Sequence, residues 1–85
     1  MNFDIHLSNK AEKFLKSCNN DLYDRIYQKL KKLEKDPFPQ DVKRVIGQKE
    51  KTFRVRVGDY RLLYVVFLDE SIILVVNIDK RPKAY

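Results

Sequence analysis

Three arginines fall within one short stretch, Phe53-Arg54-Val55-Arg56-Val57-Gly58-Asp59-Tyr60-Arg61. A guanidinium presents planar, forked donors that match a phosphate with two parallel hydrogen bonds. The stretch alternates basic with branched residues up to Gly58-Asp59, a pair suited to a two-residue hairpin loop. With that loop, Val57 pairs with Tyr60 and Arg56 with Arg61. Paired residues share a sheet face. Phe53, Val55 and Val57 then join Tyr60, Leu62, Tyr64 and Val66 on an apolar face, and Arg54, Arg56 and Arg61 emerge on the other. Like charges directly opposite one another destabilise a hairpin. A purely structural sheet is expected to alternate signs there, so the convergence reads as an anion site.

The rest of the chain must position that hairpin. Residues 2–7 alternate, with Phe3, Ile5 and Leu7 on one face, and predict a short strand. Ser8 or Asn9 offers an N-cap, and Asn9 with Glu12 has capping-box spacing. Ala11, Phe14, Leu15 and Cys18 follow at helical spacing. Asn19-Asn20-Asp21 breaks that helix and caps a second, from about Leu22 to Lys35. On a 100° wheel, Leu22, Tyr23, Ile26, Tyr27, Leu30 and Leu33 share one arc. Asp36-Pro37-Phe38-Pro39 stops the helix. Lys43–Ile46, Phe53–Val57, Tyr60–Leu68 and Ile72–Ile78 read as strands.

The last hairpin admits two registers. A two-residue loop at Asp69-Glu70 turns Ser71 and Asn77 into the core. A three-residue loop, Asp69–Ser71, turns Ile72, Leu74, Val76 and Ile78 inward and serves the core better. It also sets Asn77, Asp79 and, by parity, Arg81 beside Arg61 on the open face. The fold class is α+β: an N-terminal strand and two antiparallel helices on one face of a mainly antiparallel sheet of four to five strands.

Composition bounds the function. The 85 residues carry 18 Lys+Arg against 12 Asp+Glu, a net charge of +6 that points to a polyanion. This length makes residues 1–85 a single domain. One Cys and one His leave no disulfide and no Cys- or His-rich metal site, and two Gly supply no nucleotide-binding glycine loop. No run approaches a membrane span, and the stretch Met1–Lys10 has no basic region followed by an apolar one, so no leader is expected. The expectation is a cytoplasmic domain without cofactor or metal.

The segment Phe53–Tyr64, with its Gly-x-Tyr-Arg turn, resembles the RelE/ParE toxin superfamily of type II toxin–antitoxin pairs. Lys43-Arg44-Val45-Ile46-Gly47 and the basic-aromatic end Lys80-Arg81…Tyr85 resemble flanking parts of the same family. The resemblance implies a fold like small microbial ribonucleases and, for RelE-type members, mRNA cleavage in the ribosomal A site. By motif, Arg54, Arg56, Arg61, Arg81 and Tyr85 take catalytic positions, and Lys43, Arg44, Lys51, Lys80 and Lys83 are read as RNA-binding. Bacterial RelE-type toxins often have Lys at the two strand positions held here by Arg54 and Arg56. Cleavage by the 2′-OH requires proton removal, stabilisation of a pentavalent phosphorane and protonation of the 5′-oxygen. Arg, with a pKa above ~12, is a poor base. The arginines therefore read as an electrostatic clamp, with Tyr85 as the group able to shuttle a proton. The resemblance also implies a RelB-like antitoxin, acidic or amphipathic, covering part of the basic face or displacing residues 80–85. Two other readings are a ParE-like gyrase poison with the same fold and a non-catalytic RNA-binding module.

Other candidates carry blander expectations. His6 is read as a solvated side chain, Cys18 as a small packing residue, and Tyr23 and Tyr27 as core. The lysines at 29–35 are read as a solvated helix face.

Overall fold

The computed structural model describes residues 2–47 and 51–80. Arg81, Lys83 and Tyr85 lie outside the described residues. The elements are β1 (Asp4–Leu7), α1 (Asn9–Ser17), α2 (Asn20–Lys35), β2 (Lys43–Val45), β3 (Thr52–Val57), β4 (Tyr60–Phe67) and β5 (Ile72–Lys80).

Local chemistry sets the boundaries. Ser8, not Asn9, caps α1: its Oγ accepts from the Ala11 amide at 3.1 Å. Asn19 caps α2 by accepting from the Leu22 amide at 2.8 Å, so that helix begins at Asn20 rather than near Leu22. Each cap satisfies one of the amides that a helix start leaves without a partner.

The strands form one sheet in the order β1-β5-β4-β3-β2. β1 runs parallel to β5, and the other neighbours are antiparallel. Both helices pack on one face. Leu22, Ile26 and Leu33 of α2 and Ala11 of α1 meet Val55, Leu62, Tyr64, Ile73, Val75 and Ile78, all buried. Tyr64 is fully buried, and its hydroxyl donates to the Pro37 carbonyl at 2.7 Å. That bond ties the α2–β2 connection to the sheet. Burial pushes the Tyr64 phenol well above its ordinary value.

The first hairpin has the expected register, with Val57 opposite Tyr60 and Arg56 opposite Arg61. Gly58 takes φ +58°, and Asp59 does not share the positive φ, the pattern of a II′ turn. The last hairpin combines the two expected registers, that of the two-residue loop near the turn and that of the three-residue loop beyond a bulge. Phe67 pairs with Ile72, so the loop spans 68–71, and Ser71 absorbs a φ of +55°. Ile73 and Val75 are therefore the inward residues, and Ile72 and Leu74 are not. A bulge then intervenes: Leu63 pairs with Asn77 but Tyr64 pairs with Val75, so Val76 is an extra residue. Parity flips there, and Ile78 returns to the core. Ser8 holds the bulge, donating from Oγ to the Val76 carbonyl at 2.8 Å while its amide donates to Val75 at 2.9 Å.

Tyr23 and Tyr27 are not core residues. They are 44% and 46% exposed and line a groove of about 320 Å³ with Ile5, Leu7, Leu15 and Leu30. β1, which gives Ile5 and Leu7 to the groove, is an edge strand, so no further strand lies beside it on that side.

Candidate anion-binding site

The face turned away from the helices is organised in rows across the strands. One row reads Arg56, Arg61, Asp79 and the next Lys43, Arg54, Leu63, Asn77. Lys43, Arg54, Arg56 and Arg61 together line a shallow pocket with Asp41. Its volume, about 70 Å³, is well below the ~300 Å³ at which small-molecule sites begin. The depression suits a phosphate on a chain better than an enclosed metabolite.

Two carboxylates shape the site. Asp79 accepts from Arg61 at both oxygens, Nε to Oδ1 at 2.6 Å and Nη2 to Oδ2 at 3.4 Å. Asp41 accepts from Lys29 Nζ at 3.1 Å, and that hydrogen bond holds its carboxyl below the usual carboxylate range. A downward shift makes a carboxylate a weaker proton acceptor than an ordinary one. Among the described residues, Lys43, Arg54 and Arg56 form no ion pair, so the pocket keeps a net positive field. Such a site can bind and polarise a phosphodiester, and it stabilises the added negative charge of a phosphorane.

The structure sorts the sequence candidates. Lys43, Arg54, Arg56 and Arg61 come together, and Asn77 and Asp79 share their face. Arg44 and Lys80 do not share it: they pair with Phe53 and Tyr60, whose side chains belong to the helix-covered face. Lys51 is exposed just before β3. Asp41 was missed, because it stands in the irregular stretch after Pro39 where no periodicity assigns a face. The open face is also less uniformly basic than parity alone implies. Beyond the arginine rows it turns apolar, through Leu63, Val65 and Leu74 to Phe67 and Ile72.

His6 is exposed on β1, and Cys18 is half-buried with its Sγ donating to the Leu15 carbonyl at 3.4 Å. Among the described residues no group of three or more His, Cys, Asp or Glu could hold a metal ion. No helix among them is long and apolar enough to cross a membrane.

Comparison with known proteins agrees with this architecture. The structure superposes on the archaeal RelE–RelB complex from Pyrococcus horikoshii OT3 with a TM-score of 0.85 and 27% identity, covering 99% of this chain and 100% of that one. The isolated E. coli RelE toxin gives a TM-score of 0.77 at 18% identity, over 96% and 87% of the two chains, a likeness of fold. A curated protein of Methanocaldococcus jannaschii, "Putative toxin RelE1", is 32% identical over 88 residues, covering 100% of this chain and 97% of its own. The family model for the ParE toxin of type II toxin–antitoxin systems (parDE) matches residues 5–85. With the helix pair, the bulged sheet and the basic hairpin in place, the chain belongs to the RelE/ParE family of type II toxin–antitoxin toxins.

Proposed function

We propose that this toxin is a RelE-like endoribonuclease that cleaves mRNA on the ribosome by attack of the 2′-OH on the adjacent phosphate. The observation that carries this reading is the meeting of Lys43, Arg54, Arg56 and Arg61 around one shallow pocket. These groups clamp the scissile phosphate and stabilise the phosphorane. Arg81 and Tyr85 complete the proposed set, with Tyr85 moving the proton. The pocket's own groups make a poor base: guanidinium as a chemical class gives up its proton reluctantly, and the hydrogen bond from Lys29 holds Asp41 down. That deficit supports dependence on a second macromolecule, the ribosome, and action on ribosomes would set the site of action in the cytoplasm.

The test is induction in growing cells with mapping of mRNA 5′ ends. Growth arrest with codon-linked cleavage is expected, and Arg61→Ala or Arg54→Ala should abolish both while the protein stays folded. The match to the ParE model favours one alternative, a gyrase poison. DNA damage and gyrase inhibition with intact mRNA would select it, and unaffected growth would leave a non-catalytic RNA-binding module.

The proposed partner is a RelB-like antitoxin. The groove of Ile5, Leu7, Leu15, Tyr23, Tyr27 and Leu30 offers an apolar seat for an amphipathic segment, separate from the basic face. Leu30→Asp should then weaken antitoxin binding in a titration and leave RNA binding intact. Unchanged antitoxin affinity would move the contact elsewhere.

A further inference from the structure

Arg61 lies directly across β3–β4 from Arg56, and two opposed guanidiniums repel. On its other side, Arg61 faces Asp79 of β5. The carboxylate grips the guanidinium along its Nε edge, at 2.6 Å and 3.4 Å. Asn77, two residues earlier on the same face, donates from Nδ2 to Asp79 Oδ2 at 3.3 Å. Arg61 lines the pocket and Asp79 does not. The acid therefore holds the arginine from outside the site.

A long arginine side chain loses much rotamer freedom when it is held in one conformation. A guanidinium already ordered when the phosphate arrives spares that cost at the reaction step. An acid beside a cationic pocket also weakens anion binding in general, so its placement favours orientation over affinity. We infer that Asp79, steadied by Asn77, is a positioning residue that fixes the Arg61 guanidinium in the anion site. The inference rests on the nuclease reading above and names a residue which that reading does not use.

The test compares wild type, Asp79→Asn and Asp79→Glu. Single-turnover mRNA cleavage on programmed ribosomes at saturating toxin separates rate from binding. Asp79→Asn should lower the rate about tenfold. It should leave affinity for a non-cleavable single-stranded RNA unchanged or a few-fold tighter, because net charge rises by one. Asp79→Glu keeps the carboxylate and should recover part of the rate. A wild-type rate in Asp79→Asn, or a loss seen wholly as weaker RNA binding, overturns the inference. If wild type cleaves no mRNA, the nuclease reading falls separately. The grip itself is then read from the Arg61 Nε–H resonance. Slower exchange with water in wild type than in Asp79→Asn supports it, and equal exchange overturns it.

Discussion

Ser8 does two jobs with one hydroxyl, and the two can be separated. Its Oγ accepts from the Ala11 amide at 3.1 Å and donates to the Val76 carbonyl at 2.8 Å. The first bond caps α1, and the second holds the bulge that sets the parity of β5. Ser8→Ala loses a cap worth about 1 kcal/mol. It also deprives a part-buried carbonyl of a donor, at a further cost of about 1 kcal/mol. The sum, about 2 kcal/mol, is large against the roughly 4–13 kcal/mol expected for a domain of this length. Urea unfolding followed by circular dichroism would measure it. Ser8→Thr keeps both bonds and should stay near wild type. Ser8→Asp keeps the cap but cannot donate to Val76, so it should recover about half the loss. Amide exchange at residues 77–79 should quicken in Ser8→Ala and Ser8→Asp alike. A loss below about 0.5 kcal/mol in Ser8→Ala, or full recovery in Ser8→Asp, would refute the claim that this hydroxyl holds the bulge.

Tyr64→Phe should cost about 1–2 kcal/mol, since it leaves the Pro37 carbonyl without its donor. Because the folded-state pKa of Tyr64 is raised, its contribution is complete below pH ~10 and declines as pH rises above that value. The alkaline limb of the stability profile should therefore flatten in the Phe variant. Gly58→Ala should cost about 1 kcal/mol for a φ of +58°. The added Cβ would meet Arg25 Nη2 at 2.5 Å, but that is the end of a flexible side chain and can move aside, so thermal melts should show no larger loss. Replacing Lys43, Arg54 or Arg56 singly by Ala should lower the slope of log K against log salt for single-stranded RNA by about 0.7 each. Arg44→Ala, on the other face, should leave that slope unchanged.

The arginine hairpin was legible in the sequence because one short loop fixes its register, and register fixes the face of every alternate residue. The helices were legible from period and caps. The last hairpin was not, since its parity changes at Val76. The bulge is specified by Ser8, 68 residues away in sequence, and no local pattern announces such a partner. The two expected registers each held for half of β5: the inward turn of Ile73 and Val75 belongs to one, and that of Ile78 to the other. Tyr23 and Tyr27 were misplaced for a related reason. Helical spacing says that two residues share a face, and topology decides whether a strand lies beneath it. Asp41 escaped because loops carry no period.

The sheet order has a consequence for how the protein is made. β1 pairs with β5, so β1 leaves the ribosome well before the strand that it pairs with. The Arg61–Asp79 pair bridges β4 and β5 and is likewise impossible until β5 has emerged. A nascent chain can form its helices and the β3–β4 hairpin, but not its edge strand or its finished cationic face. Synthesis of this toxin and completion of its site are thus separated in time. Nascent chains arrested before Ile72 emerges should remain open to protease at Asp4–Leu7, the strand whose partner is missing.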